Sequence, residues 1–147
     1  MADYAPIVRM IKSRHRVRVR RWRTSMSGCA WRERYRNGRE VNWVEAPFPK
    51  TPLSLSIFLH EVGHHVIGFD RYRYRCEEEY HVWLWALDEM RRLGVDPSDK
   101  VLDRFERSMQ YAVGKAVRRG IKRLPEPLMQ FCYAADECTE IAMPAAA

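Results

Sequence analysis

The chain has no apolar run approaching the ~18 residues needed to cross a bilayer, so no membrane-spanning helix is expected. It also lacks a signal-peptide core, because Met1-Ala2-Asp3-Tyr4-Ala5-Pro6 leads straight into a basic stretch. The expectation is a cytoplasmic protein whose mature form starts here. Cysteine is sparse, and Cys29, Cys76, Cys132 and Cys138 form no Cys-x-x-Cys pair, which argues against a zinc ribbon. Thiols rather than disulfides are expected in that compartment, with Cys132 and Cys138 the only pair close enough in sequence to suggest otherwise. Acidic residues are scarce at the start: residues 1–50 hold 13 Lys and Arg against 4 Asp and Glu, a balance of +9 within a chain of net charge +7. No internal repeat and no recognisable nucleic-acid motif is present.

What is present fits one globular domain. The 147 residues are 46% hydrophobic and 31% charged, enough chain for a single core and too apolar for disorder. The densest chemistry lies in Leu59-His60-Glu61-Val62-Gly63-His64-His65, a His-Glu-x-x-His motif flanked by Leu55, Phe58, Leu59, Val62, Val66 and Ile67. Positions four apart share one helix face, so His60 and His64 can aim at one zinc ion. Glu61 projects one position round, where it reaches a metal-bound water as general base rather than the metal.

The order of elements reads as strands first, then helices. Residues 1–13 read as a mobile lead-in and residues 14–23 as a strand, in which Arg14, Arg16, Arg18 and Arg20 alternate with His15, Val17 and Val19. That alternation predicts one arginine-lined face, suited either to solvation or to binding a nucleic-acid backbone. Asn37-Gly38 between two strand-like runs is a hairpin signal. Thr51-Pro52 starts a helix that runs to Ile67 and stops at Gly68. Helices over 76–92, 97–119 and 128–141 complete the expectation, and residues 142–147 read as a frayed tail. The fold class is therefore α+β, a small antiparallel sheet packed on a helical core, within one domain spanning 1–147.

A catalytic zinc needs a third protein ligand and an open position. Glu77-Glu78-Glu79, Asp70 and His81 compete for that place. From Glu79 the three-and-four spacing continues through Val82, Trp83, Ala86, Leu87 and Met90, an apolar stripe that must face inward. Glu79 is therefore favoured, with Glu78 suited to orienting a ligand. Tyr72, Tyr74, Tyr80 and His65 are candidates for stabilising an oxyanion.

Hairpin, proline-containing turn, His60-Glu61-Val62-Gly63-His64 helix and a glutamate-bearing helix together resemble a minimal gluzincin. Over about residues 28–92 the chain looks most like the ImmA/IrrE-type peptidases, with Glu79-Tyr80-His81-Val82-Trp83 similar to their glutamate helix. The resemblance implies a zinc-dependent endopeptidase that cleaves a protein or peptide substrate. It also implies an extended substrate adding to the strand around Val41–Glu45. Two other resemblances stay open. Asp70 has the ligand spacing of metzincin-like enzymes. His81 would serve in an SprT-like, DNA-associated peptidase, to which the basic strip is also suited.

Overall fold

The computed structural model of the chain describes residues 2–132. Helix α1 spans Ala5–His15, followed by strands β1 (Val17–Arg23), β2 (Cys29–Arg34) and β3 (Glu40–Pro47). Helices α2 (Pro52–Ile67), α3 (Arg75–Arg92) and α4 (Asp99–Arg118) come next, and a short 3-10 helix, Glu126–Phe131, ends the described chain. The fold class is α+β. Residues 133–141, expected to continue a helix from Leu128, and the tail 142–147 lie outside the described residues.

The N-terminus departs from expectation. Residues 5–15 are helical rather than a mobile lead-in. Pro6 sits in the first turn, where its missing N–H costs nothing, and Val8 and Ile11 are buried against the core that Tyr4 also joins. The helix ends at Arg16, which adopts a left-handed conformation (φ 51°, ψ 46°) and turns the chain directly into β1.

The sheet is mixed rather than antiparallel, in the order β1-β3-β2. β1 runs parallel to β3, whereas β2 and β3 form the expected antiparallel hairpin, with Arg34 opposite Glu40 and Cys29 opposite Glu45. The hairpin turn follows from its residues. Gly38 takes a positive φ of 85°, and the Asn37 side chain accepts from the Arg39 N–H. The register of β1 against β3 shifts between Val19 and Arg21, a bulge at Arg20. Because β3 separates β1 from β2, residues 24–28 must step across the end of β3. That step sets Ser27 and Gly28 beside α2.

α2 lies between the sheet and α3, and Ser54 to His64 are all buried. Its start is fixed by a capping box: Thr51 accepts from the Ser54 N–H and the Ser54 side chain accepts from the Thr51 N–H. Gly63 permits the close approach of α3. A Cβ there would lie 3.0 Å from side-chain carbons of both Trp85 and Val82. One apolar cluster joins α1, the sheet, α2 and α3, and a second joins α3, α4 and the 3-10 helix. Cys29 and Cys76 are free thiols, as expected, whereas Cys132, one of the two cysteines the sequence set apart, is disulfide-bonded. No helix among the described residues is long and apolar enough to cross a membrane.

Candidate metal centre

Helix periodicity brings His60 and His64 onto one face of α2, and their rings meet edge to face at 4.9 Å. Glu79, in the second turn of α3, faces them. Its Oε2 lies 3.0 Å from His60 Nε2 and its Oε1 lies 3.2 Å from His64 Nε2. One ligand atom from each of the three residues falls within 4.8 Å of the others. Glu79 is thus where the apolar stripe of α3 predicts it. Its placement depends on the tight α2–α3 contact at Gly63.

The electrostatics follow from burial and pairing. Burial acts to raise the Glu79 pKa, but hydrogen bonds and charge from His60 and His64 outweigh it and hold the carboxyl well below the carboxylate range. His64 shows the converse. Burial acts to lower it, yet Glu79 holds it above the ordinary histidine value. Both His64 nitrogens face carboxylate oxygens, since Nδ1 lies 3.0 Å from Glu78 Oε2. Glu61 is different again: burial dominates and pushes its carboxyl upward, partly opposed by the two histidines.

The other candidates sit elsewhere. Glu78 is 2% exposed and touches His64 through Nδ1, the nitrogen turned away from Glu79, with Arg75 3.2 Å from the same oxygen. It is therefore placed to orient His64. Asp70 is exposed on the loop after α2, and His81 stacks on Tyr72 at 4.3 Å. Neither joins the His60–His64–Glu79 group. Of the suggested oxyanion donors, His65 is engaged with the Trp43 carbonyl (2.9 Å), and none of Tyr72, Tyr74, Tyr80 and His65 lines the cavity beside the centre.

That cavity, about 160 Å³, is bounded by His60, Glu61 and Glu79 on one side and by Ser27, Gly28, Trp83, Arg104 and Ser108 on others. Gly28 presses against Glu61: a Cβ at Gly28 would lie 2.7 Å from Glu61 Cγ and 2.6 Å from the Glu45 carbonyl oxygen. Only a glycine lets the β1–β2 loop lie on the general-base candidate. Sequence reasoning placed Trp83 on the inward stripe of α3 but not on a cavity, and did not find Gly28, Arg104 or Ser108; of these three only Gly28 carried a signal, a glycine just before a strand.

Two expectations about the sheet need correction. β3, which holds Val41–Glu45, is the central strand and is hydrogen-bonded on both sides, so it offers no edge. The edge that adjoins the cavity is β2, which begins one residue after Gly28. The four arginines do not share a strand face either. Arg14 belongs to α1 and lies 3.5 Å from Glu89, Arg16 is the left-handed cap, and only Arg18 and Arg20 are on β1. The helix, not the alternating pattern, governs the chain as far as His15.

Comparison of the chain with protein-family models, with curated proteins and with solved structures gives no match. Two imidazoles and one carboxylate from two packed helices, with a second carboxylate behind one imidazole, fit the ligand preferences and outer support of a catalytic zinc.

Proposed function

We propose that the chain is a zinc-dependent endopeptidase in which His60, His64 and Glu79 hold the metal and Glu61 is the general base. The observation that carries this is the convergence of both Nε2 atoms on the Glu79 carboxylate, at 3.0 and 3.2 Å, beside a cavity that Glu61 also lines. Zinc bound there would supply a water acidified toward pKa ~7 and a Lewis acid for the scissile carbonyl.

The remaining steps fall to the chain's own residues. Glu78 holds the Nδ1 proton of His64, which leaves Nε2 directed toward Glu79. Glu61, its affinity for a proton increased by burial, takes the proton of the attacking water and delivers it to the leaving amine as the C–N bond breaks. Gly28 lies against Glu61 and restricts where that carboxylate can sit. Among the described residues β2 pairs only with β3, so it offers an edge to an extended peptide, and its first residue follows the cavity wall.

The test is Glu61→Gln in the zinc-loaded protein. Zinc stoichiometry should stay at one per chain, while cleavage of a mixed peptide library falls by about 10²–10⁴-fold. Cleavage that persists in Glu61→Gln, or a zinc-loaded wild type that cleaves nothing, refutes the reading.

A further inference from the structure

The cavity beside the candidate centre is lined by a cation. Arg104, on α4, lines it together with Ser108 one turn later, so both reach it from one face of that helix. One Arg104 nitrogen donates to the Met26 carbonyl at 2.8 Å, and this bond ties α4 to the β1–β2 loop. A guanidinium has five N–H donors, so most remain. Among the described residues, no carboxylate pairs with Arg104.

Three other arginines are committed. Arg75 contacts Glu78 and Glu79, and Arg21 and Arg23 share Glu45. Ile57 and Trp83 give the cavity an apolar wall, and Ser27 and Ser108 add hydroxyls. A volume of about 160 Å³ is close to that of a cavity that holds one benzene ring, so it admits one side chain rather than a larger group.

We propose that Arg104 receives a carboxylate of the substrate, so that the enzyme selects peptides with an acidic side chain, or a free C-terminus, next to the scissile bond. A carboxylate matches the planar fork of a guanidinium in a way that an amide or hydroxyl does not. The methylenes of a glutamate would lie against Trp83 and Ile57, with the serine hydroxyls donating to its oxygens. The basic surface acts in the same direction, because net charge +7 raises the local concentration of acidic peptides. The inference rests on the peptidase reading of the same cavity.

Binding can be tested apart from turnover. Full-length protein carrying Glu61→Gln and loaded with zinc is titrated calorimetrically with acetylated, amidated peptides that differ only in Glu against Gln. A second pair of alanine peptides differs only in a free or amidated C-terminus. One member of a pair should bind about 10- to 100-fold tighter than its neutral partner. Preference in the Glu/Gln pair marks a side-chain carboxylate, and preference in the second pair marks a terminal one. Adding Arg104→Met should abolish the preference while zinc stoichiometry stays at one. Should that variant fail to fold, Arg104→Lys, which keeps charge but loses the fork, should weaken the preference severalfold.

Equal affinities within both pairs, no binding of any peptide, or a preference that survives the Arg104 variants overturns the inference. A carboxylate preference without cleavage by the wild type would leave Arg104 as a carboxylate-binding site and remove the peptidase reading, and with it selection at a scissile bond. Cleavage without the preference would do the reverse.

Discussion

Replacing Glu78 by glutamine separates a ligand from the group that orients a ligand. The side chain is 2% exposed; one oxygen lies 3.0 Å from His64 Nδ1 and 3.2 Å from Arg75. Glutamine keeps the volume but can offer that position either an oxygen or an NH2. With oxygen toward Nδ1, the contact survives without its charge, and so more weakly. With the NH2 group there, Nδ1 must accept, and the imidazole proton moves to Nε2, the atom that must bind zinc. Both outcomes weaken the site without removing a ligand. Loss of such an outer partner costs about 10–100-fold in metal affinity, or about 1.4–2.7 kcal/mol. The Arg75 contact adds little, because that side chain is 66% exposed and water screens it.

Competition against a chromophoric chelator measures the loss directly. Glu79→Gln, which disables a direct ligand, should cost far more than Glu78→Gln. Glu77→Gln, one position earlier on α3, should leave affinity unchanged. Unchanged affinity in Glu78→Gln would show that the Nδ1 contact orients nothing. A loss as complete as that of Glu79→Gln would make Glu78 a ligand and refute the proposed division of roles.

Three further outcomes follow from the packing. Gly63→Ala sets a methyl 3.0 Å from Trp85 and Val82, so α3 must shift from α2; stability should fall by about 1–3 kcal/mol and zinc affinity with it, as read by thermal unfolding with and without zinc. Gly28→Ala meets the Glu45 carbonyl and Glu61 at once; kcat for peptide cleavage should fall while zinc content is unchanged. His15 supplies a pH dependence. Burial, the largest effect, lowers its pKa, Glu89 opposes that, and Arg14 adds to it, with Nε2 buried and without a hydrogen-bond partner among the described residues. The unfolded chain then binds this proton more readily, so the stability His15 contributes is full above about pH 6.5 and is lost as pH falls toward the folded pKa. Urea midpoints across that window should drop less on acidification in His15→Gln than in wild type.

The helices that carry the centre were legible because local signals agreed with tertiary demand. Thr51-Pro52 and Gly68 bound α2 at Pro52–Ile67, and Asn37-Gly38 placed the hairpin. The stripe from Glu79 through Val82, Trp83 and Ala86 had to face α2, which is why one glutamate of three could be singled out. The N-terminal third was less legible for a physical reason. Period-two alternation through Arg14–Arg20 reads as a strand, yet α1 is held as far as His15 by the burial of Val8 and Ile11, which lie outside that window. Alternation also carries no strand direction, so nothing local distinguished the parallel β1–β3 pairing from a meander.

That parallel pairing links the fold to the site. Had β1 paired antiparallel beside β2, a tight turn would have joined them, away from α2. With β3 inserted, residues 24–28 cross its end, carry Gly28 onto Glu61 and give Arg104 the Met26 carbonyl as an anchor. The candidate metal ligands come from two helices close in sequence, and local periodicity suffices to single them out. The cavity that would select a substrate comes from residues 27 to 108, brought together only by topology. The candidate centre is therefore encoded locally in this chain, whereas the cavity beside it depends on the order of three strands.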